Sequence, residues 1–375
     1  MDWAWVIPIL FFIAYTIRIL TYLYGWKKAI RSDPGIKSST VVSASVIIPV
    51  RNEEKRIKAL LGDLQAQQIP DGAFEIIIVD DHSTDHTAAV VQSYATGNAG
   101  TRLIELGADE YGKKAAIRRG VLEAAHEIII STDGDCRAPG GWLGLMLEAI
   151  REPGARMVGG PVIIEPDKGF FRAMQSLEFL SLTGVSAASA GLGSPLMCNA
   201  ANLAYLKEDY LQYLESGQQG SASGDDMFLM VWLKKMHPGS VRFITDPGAV
   251  IRTLPADSLQ NFVMQRLRWV SKSRFYSDVH LVSTALLVFL VNACLFMAAV
   301  LCFLGSRWIG LFLILLGTKA LIDGLFLFGV LKHFGKRELL LVFLPLELIY
   351  FMYVSIIGLA GQVTPYTWKG RHIKP

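Results

Sequence analysis

The segment EIIISTDGDC, from Glu127 to Cys136, decides how this chain can fold. Its run of β-branched residues predicts a buried strand, and the strand ends in two carboxylates, Asp133 and Asp135, that only Gly134 separates. Two anions so close repel each other, and burying either one alone is costly. A divalent cation would offset that repulsion, because Asp-x-Asp at a strand end offers the oxygen ligands that Mg²⁺ or Mn²⁺ prefers.

The surrounding sequence alternates between strand patterns and helix patterns. Short apolar β-branched runs occur in VSASVIIPV and FEIIIVD, upstream of EIIIST. Apolar residues at helical spacing fill the segments EEKRIKALLGDLQAQ, TAAVVQSYA and KKAAIRRGVLEAA. This alternation predicts an α/β domain over residues 41–257, with a mixed, mostly parallel sheet flanked by helices.

Polar residues follow three of the predicted strands at the point where each strand ends. They occupy residues 49–54 (PVRNEE), 80–86 (DDHSTDH) and 131–136 (STDGDC). Any one of these segments could be only a turn and a helix cap, since Ser, Thr and Asp suit both. All three together favour a binding site, because ligands of parallel sheets bind beyond the carboxyl ends of the strands.

The composition indicates a membrane protein and excludes some other classes. Of the 375 residues, 52% are hydrophobic, and the formal net charge is only +3. There is no basic stripe with interleaved aromatic residues, so nucleic acid is not an expected partner. The four cysteines are scattered, which argues against a disulfide framework and against a zinc site.

An apolar stretch within residues 1–26 predicts an N-terminal transmembrane anchor. Lys27, Lys28 and Arg31 follow it directly. By the positive-inside rule, the domain that follows lies in the cytoplasm. We therefore expect a multi-pass protein of the cell inner (plasma) membrane, with the α/β domain on the cytoplasmic side.

Three more apolar stretches, within residues 281–361, predict C-terminal transmembrane helices. A basic tail, residues 362–375, closes the chain, and its charge disagrees with a plain three-span topology. Either the rule fails here or one stretch is re-entrant, in which case Leu339–Gly361, which contains Pro345 and Glu347, is the candidate. Inside the preceding stretch, Lys319 and Asp323 are spaced for an ion pair, which is either structural or part of a headgroup pocket.

Residues 258–276, which include SLQNFVMQRLRWVSKS, predict an amphipathic helix at the membrane interface. Polar residues fall on one face of this helix and apolar residues on another. A plain interfacial helix explains its basic residues. It explains Gln265 and Trp269 less well, so we expect the helix also to offer Arg268 to an anionic ligand.

These motifs resemble, in order and spacing, those of family-2 glycosyltransferases with the GT-A fold. The segments that carry the resemblance are VIIPVRNEE, IIIVDDHSTD, GKKAAIRRG, STDGDC, CNAANLAY, SGDDMFL and QRLRW. The membrane-bound branch, with the cellulose, chitin and hyaluronan synthases and ceramide glucosyltransferase, is especially similar. The resemblance implies a GT-A (Rossmann-like) fold and the transfer of a sugar from a nucleotide sugar, with UDP as the expected nucleotide.

The resemblance also implies roles for individual residues in binding the donor. The metal and the diphosphate are then held by the pair Asp133 and Asp135, and Asp81 contacts the uracil. The residues expected to bind the nucleotide sugar are Pro49, Glu53, Asp81, Lys113, Lys114 and Asp133. The chain departs from the family pattern at His82, where Gly is usual, and at Arg118 and Arg119, so the resemblance leaves the donor sugar open.

The catalytic residues implied by the resemblance lie further along the chain. Asp226 in SGDD aligns with the base of the family, with Asp225 beside it, and Gln265, Arg268 and Trp269 match the Gln-x-x-Arg-Trp signature. A carboxylate base activates an acceptor hydroxyl, while the metal and nearby cations stabilise the leaving diphosphate. Attack opposite the leaving group inverts the anomeric centre.

The leading hypothesis is an inverting, metal-dependent transferase that acts on a lipid or another membrane-associated acceptor such as a glycan. The first alternative is the catalytic subunit of a processive polysaccharide synthase. Such an enzyme needs a transmembrane channel, which is harder to build from four spans unless the protein oligomerises or has a partner. The second is a metal-dependent hydrolase, whose metal ligands would come from DDHSTDH: Asp80, Asp81, His82, Asp85 and His86.

Overall fold

The structure is a computed structural model that describes residues 3–31, 43–69, 74–217, 225–368 and 371–373. The chain divides into two compact units. The sheet unit comprises Lys27–Glu165 and Val185–Leu254. The helical unit comprises Met1–Trp26, Pro166–Gly184 and Pro255–Pro375.

The segments VSASVIIPV, FEIIIVD and EIIIST contain strands, and the three predicted helical segments contain helices, as the sequence patterns indicate; the described residues form further strands and helices besides. The strands are β1 (Ala44–Val50), β2 (Phe74–Asp80), β3 (Thr101–Glu105), β4 (Ile128–Ser131), β5 (Met157–Gly159), β6 (Val162–Ile164), β7 (Leu203–Leu206), β8 (Val241–Phe243), β9 (Ile251–Thr253), β10 (Tyr366–Trp368) and β11 (Arg371–Ile373). The helices are α1 (Trp3–Arg31), α2 (Ile57–Gln65), α3 (Thr87–Gly97), α4 (Gly112–Glu123), α5 (Trp142–Arg151), α6 (Phe170–Gly191), α7 (Lys207–Glu215), α8 (Asp225–Met236), α9 (Leu259–Ser271), α10 (Val279–Leu301), α11 (Arg307–His333) and α12 (Leu340–Val363).

Seven strands form the central sheet of the sheet unit, in the order β3-β2-β1-β4-β7-β5-β8. The pairs among β1, β2, β3 and β4 are parallel, whereas β7 is antiparallel to both β4 and β5. Ile47, Ile77 and Ile129 of the central strands are fully buried, as expected for strands covered on both faces. The predicted GT-A-type fold, a mixed and mostly parallel sheet with flanking helices, is confirmed.

Pro49 lies within a central strand, where its missing N–H is usually harmful. The ladder between β1 and β4 ends at Ile47, which pairs with Ser131. The carbonyl of Ile47 accepts a hydrogen bond from the N–H of Thr132, so Ile47 faces β4, and Pro49, two residues on, faces the same side. Pro49 therefore lies beyond the end of the β1–β4 ladder, where no partner strand among the described residues accepts a hydrogen bond from that position.

Glu75 stabilises the opposite edge of the sheet, where the strands begin. Its carboxylate accepts hydrogen bonds from the hydroxyl of Ser45 at 2.6 Å and from the N–H of Ala125 at 2.6 Å, and Arg102 lies 3.2 Å away. Burial alone would raise the pKa of Glu75, but these hydrogen bonds and the Arg102 charge lower it below its ordinary value. The ionised carboxylate thus ties β1, β2, β3 and the residue after α4 together.

Four helices among the described residues are long and apolar enough to cross a membrane. They are α1 and the three C-terminal helices α10, α11 and α12, as the sequence predicts. The helix α12 is unbroken from Leu340 to Val363, with Pro345 in its second turn, rather than interrupted as a re-entrant segment is. The re-entrant interpretation of Leu339–Gly361 is therefore wrong.

Two predicted boundaries also change. The interfacial helix α9 ends at Ser271 instead of extending to residue 276, and a short 3₁₀ turn, Ser273–Phe275, follows it. The segment predicted as a basic tail contains the two short antiparallel strands β10 and β11. Sequence periodicity indicates where a helix such as α9 lies, but it does not fix the residue at which the helix ends.

The predicted pair of Lys319 and Asp323 is part of a larger buried group, the Lys319 cluster. The ammonium of Lys319, 1% exposed, lies 2.8 Å from a carboxylate oxygen of Asp323 and 2.8 Å from one of Glu347. The hydroxyl of Tyr15 donates to Asp323 at 2.7 Å. The cluster links α1, α11 and α12. Because protein groups enclose the ammonium, the structural interpretation is favoured over a headgroup pocket.

Candidate active site

The sheet order brings the three polar strand ends to one edge. Strands β2 and β4 both pair in parallel with β1, so the loops after β1, β2 and β4 leave the sheet side by side. The strand order reverses between β1 and β4, and ligands of open α/β sheets bind in the crevice at such a point. The segments PVRNEE, DDHSTDH and STDGDC all lie at this edge.

The loops after β1 and β2 are interlocked by hydrogen bonds. Asn52 exchanges two of them, because its N–H donates to the Ser83 hydroxyl and its side-chain oxygen accepts from the N–H of Thr84. The N–H of Glu54 donates to Asp85, and the carboxylate of Glu54 accepts from the next residue, His86. These bonds hold the two loops as one rigid element, which we call the loop clamp.

The loop clamp uses the side chains that the hydrolase alternative requires as metal ligands. The carboxylate of Asp80 accepts from both the N–H and the hydroxyl of Ser83, and Asp85 accepts from the N–H and the hydroxyl of Thr87. Within the described residues, no group of three or more His, Cys, Asp or Glu side chains could hold a metal ion. The hydrolase alternative therefore loses its metal site.

Asp81, the residue expected to contact the nucleobase, is buried at the end of β2. The guanidinium of Arg51 donates to its carbonyl at 3.0 Å, and a ring nitrogen of His82 lies 3.3 Å from its carboxylate. His82 has a φ of +56°, which is uncommon for a residue other than glycine, and its ring stacks on Tyr111 at 4.8 Å. Sequence reasoning identified the unusual His82 but assigned no role to Arg51, although it lies within PVRNEE, and missed Tyr111, which belongs to no motif.

The Asp-x-Asp pair lies directly beyond β4. The carboxylate of Asp133 is bound by the ammonium of Lys113, from the start of α4, at 2.5 Å. A Cβ at Gly134 would lie 2.8 Å from a methyl group of Val50, so only glycine fits between the two carboxylates. Burial, followed by the charges of Asp135 and Asp133, raises the pKa of the Cys136 thiol well above its ordinary value.

Two carboxylates on one turn suit a divalent cation that keeps most of its coordination for water and phosphate. Asp133 and Asp135 are both half-buried, so their side chains remain partly accessible to a ligand. A metal with these two ligands still needs oxygens from a ligand, which a diphosphate supplies. The residues present therefore fit Mg²⁺ or Mn²⁺ bound together with a nucleotide.

Asp226, the predicted base, is fixed to the same edge of the sheet. Its carboxylate accepts a hydrogen bond from the N–H of Ala200 at 3.1 Å. The carbonyl of Ala200 in turn accepts from the hydroxyl of Ser131 at 2.8 Å, and Ser131 is the last residue of β4. Two hydrogen bonds thus connect Asp226 to the strand that carries Asp133. The side chain of Asp225 and residues 223 and 224 lie outside the part of the chain described.

Three other residues that the sequence analysis singled out are Glu53, Lys114 and Arg119. Glu53 is buried, with its N–H bonded to Thr87 and its carboxylate 3.3 Å from Arg56. Lys114 is half-buried on α4 beside Lys113. Arg119 forms an ion pair with Glu123 at 3.1 Å along the surface of α4, so this departure from the family pattern is a surface feature.

The Gln-x-x-Arg-Trp signature lies on α9 in the helical unit, and it surrounds a residue that sequence reasoning overlooked. The guanidinium of Arg266, 3% exposed, donates to Gln265 and to Glu178, each at 2.5 Å. It lies over the ring of Trp269 at 4.1 Å. Burial, the largest single effect, lowers the pKa of Arg266, but the charges of Glu178 and Tyr353 and the hydrogen bonds to them together raise that pKa above its ordinary value. Arg266 therefore holds Gln265 and Trp269 in place, whereas the amphipathic pattern suggested a solvated basic residue.

The family profile described as Glycosyl transferase family 2 matches residues 45–214. The chain contains a family-2 glycosyltransferase domain. Glycosyltransferase AglE of Haloferax volcanii is 30% identical over 125 residues, which are 33% of this chain and 41% of AglE. Dolichyl-phosphate beta-glucosyltransferase ALG5C of Trichomonas vaginalis is 33% identical over 108 residues, 27% of this chain and 32% of that relative. The chain thus spans well under half the length of these curated relatives.

A solved structure extends the likeness of fold beyond the family-2 domain. Mannosyltransferase PcManGT from Pyrobaculum calidifontis, determined in complex with GDP-Man and Mn²⁺, superposes with a TM-score of 0.61 at 18% identity. The superposition covers 92% of this chain and 99% of that chain. The family-2 domain contains the motifs from PVRNEE to STDGDC, whereas Asp226 and the Gln-x-x-Arg-Trp signature lie beyond its matched end.

Proposed function

We propose that this chain is a membrane glycosyltransferase that moves a sugar from a nucleotide sugar to a lipid acceptor in a metal-dependent, inverting displacement. The observation that carries the proposal is the connection of Asp226, through Ala200 and Ser131, to the strand end that holds Asp133. A base and a leaving-group site fixed to one edge of one sheet are what a single displacement requires.

Residues of the sheet unit have separate roles in the proposed displacement. Asp226 accepts the proton of the acceptor hydroxyl, because a hydroxyl is a poor nucleophile until a base within hydrogen-bond reach takes its proton. The ammonium of Lys113, which already binds Asp133, is placed to stabilise negative charge on the leaving diphosphate. Mg²⁺ or Mn²⁺ held by Asp133 and Asp135 would add Lewis-acid stabilisation of the same diphosphate.

Recognition of the nucleotide rests on the loop clamp and the residues beside it. Pro49, Glu53 and Asp81 lie at or next to the ends of β1 and β2, and the stacked rings of His82 and Tyr111 form an aromatic face at this edge. A carboxylate such as that of Asp81 accepts the N–H of a nucleobase. Lys114 is a second cation on α4. The catalytic roles of Gln265, Arg268 and Trp269, which lie on α9 of the helical unit, stay a prediction from the Gln-x-x-Arg-Trp signature.

The four helices that are long and apolar enough to cross a bilayer support a lipid acceptor, because such an acceptor is available at the membrane surface. One relative is named for dolichyl phosphate, and a mannosyltransferase of the same fold was solved with a nucleotide sugar and Mn²⁺. In this proposal residues 41–257 are the catalytic domain on the cytoplasmic side of the inner membrane, residues 258–276 lie at the interface, and residues 1–26 and 281–361 are the transmembrane segments.

The proposal is tested with the full chain in membranes and a panel of labelled UDP- and GDP-sugars. We expect release of nucleoside diphosphate that requires a divalent cation and an added lipid, with the label extracted into organic solvent. Insoluble long chains would identify the processive synthase instead. No release with any donor and lipid, from protein that binds a nucleotide, would refute transferase activity.

A further inference from the structure

Two basic residues, Arg18 in α1 and Lys319 in α11, lie inside the candidate membrane spans of the helical unit, away from the helix ends. Their surroundings differ. Lys319 is enclosed by the carboxylates of Asp323 and Glu347. Among the residues that the structure describes, Arg18 contacts no carboxylate, and its hydrogen bond goes to the hydroxyl of Thr284 at 2.9 Å.

An arginine in this position is costly unless an anion accompanies it. Charged residues within transmembrane segments are rare and usually pair with another charge or line a functional cavity. The hydroxyl of Thr284 is neutral, so it orients the guanidinium without balancing its charge. A counter-charge from the bilayer itself would resolve this imbalance.

The geometry leaves most of the guanidinium available to such an anion. Thr284 is buried, and its hydroxyl also lies 3.1 Å from the hydroxyl of Tyr22, which is 1% exposed. One edge of the guanidinium is thus fixed by the hydroxyl of Thr284, which the hydroxyl of Tyr22 holds in turn. Arginine carries five N–H donors, and the half-buried side chain of Arg18 spends one on Thr284.

Thr284, the hydrogen-bond partner of Arg18, lies near the start of its helix. Helix α10 begins at Val279, behind an N-cap at Asp278, and Thr284 lies about 7.5 Å along the helix axis from this start at 1.5 Å per residue. The centre of a hydrocarbon core about 30 Å thick lies roughly 15 Å from either boundary. Thr284 is therefore closer to one end of its candidate span than to the middle, and the long side chain of an arginine bonded to it can extend toward a lipid phosphate at that end.

We propose that Arg18, oriented by Thr284 and Tyr22, binds the phosphate group of an anionic membrane lipid. The planar fork of arginine matches two phosphate oxygens at once, and it is less strongly hydrated than an ammonium. This inference does not depend on the proposed transferase activity. The bound lipid stabilises the packing of α1 against α10 whether or not it is also a substrate.

The test measures lipid binding to the purified full chain in detergent through its unfolding temperature. Phosphatidylglycerol and phosphatidic acid are titrated against phosphatidylcholine, whose choline partly neutralises its own phosphate, and against inorganic phosphate. We expect the anionic lipids to raise the unfolding temperature more than phosphatidylcholine does, and inorganic phosphate to have no effect. Stabilisation by inorganic phosphate at equal concentration would overturn the lipid assignment.

Three variants locate the effect. In Arg18→Gln, the concentration of phosphatidylglycerol at half-effect should rise about tenfold, the loss expected for one bidentate charge-assisted contact. Arg274→Gln, which removes the same charge beside the start of α10, should leave it unchanged and so controls for long-range attraction. If Arg18→Gln does not fold, Arg18→Lys keeps the charge without the fork and should still weaken binding. Unchanged affinity in the folded Arg18 variant would mean that the arginine only extends to the aqueous interface, and would refute the proposal.

Discussion

Replacing Asp226 with Asn separates the predicted chemistry of this carboxylate from its structural role. The amide oxygen of Asn can still accept the hydrogen bond from the N–H of Ala200, which is 3.1 Å from the carboxylate in the structure. The link to Ser131 and β4 therefore survives. What the substitution removes is a group that can take a proton.

The two effects differ in size. Hydrogen bonds to a charged group contribute about 1.5–3 kcal/mol and neutral ones about 0.5–1.5 kcal/mol, so the link weakens by about 1 kcal/mol. A lost carboxylate in the first turn of α8 costs about 0.3–1 kcal/mol more, because it faces the positive end of the helix dipole. Loss of a general base, in contrast, lowers the rate about 100- to 10,000-fold, equal to about 2.7–5.4 kcal/mol.

The assay is steady-state transfer with a saturating lipid acceptor, together with donor binding and thermal unfolding of the same preparations. We expect kcat to fall at least 100-fold while donor affinity changes less than threefold, as estimated for a base that acts on the acceptor. Asp257→Asn, which removes a carboxylate from the helical unit, serves as the matched control. A kcat for Asp226→Asn within threefold of wild type would refute the assignment of the base.

Four further changes test other parts of the structure. Asp135→Ala should weaken metal-dependent nucleotide binding, chelation should do the same to the wild type, and transfer that is indifferent to EDTA would contradict the metal site. Gly134→Ala should cost about 1–3 kcal/mol in unfolding free energy, because its Cβ would lie 2.8 Å from Val50. Lys319→Leu should cost about 3–5 kcal/mol, since it leaves two buried carboxylates together, and replacing both of them as well should recover most of that loss. Because folding lowers the pKa of Glu75, its ionised form stabilises the protein above about pH 4.3. The free energies of unfolding of the wild type and of Glu75→Gln should therefore differ above that pH, and the difference should disappear as the pH falls through the lower pKa of the folded state.

Much of the sheet unit follows from local patterns in the sequence. The β-branched runs around Ile47, Ile77 and Ile129 become buried parallel strands, because the chemistry of these residues suits a sheet covered on both faces. The insertion of β7, antiparallel, between β4 and β5 is not visible in the same patterns. Strand order depends on contacts between segments distant in the chain, which no local period records.

The site shows the same division between local and distant information. Motif spacing placed Asp81, Asp133 and Asp135 correctly at strand ends, because the end of an apolar run is a local signal. The burial of Arg266 against Trp269 and Glu178 could not be anticipated, since its ion-pair partner Glu178 comes from α6, distant in the chain. From the sequence alone, a charged residue on an amphipathic helix is interpreted as exposed to solvent, because the helices that pack against it are not known.

The loop clamp has a consequence for how this domain can diversify. In it, backbone amides of one loop are matched to side-chain oxygens of the other, so the two loops have a fixed register, much as paired strands do. Inserting or deleting one residue in either loop would misalign every pair beyond it, whereas substitution at His82, whose ring points away to Tyr111, leaves the register intact. If this edge of the sheet binds the donor as proposed, its donor preference can change through substitution of side chains but not through a change in loop length. Redesign of the proposed site should therefore use point substitutions.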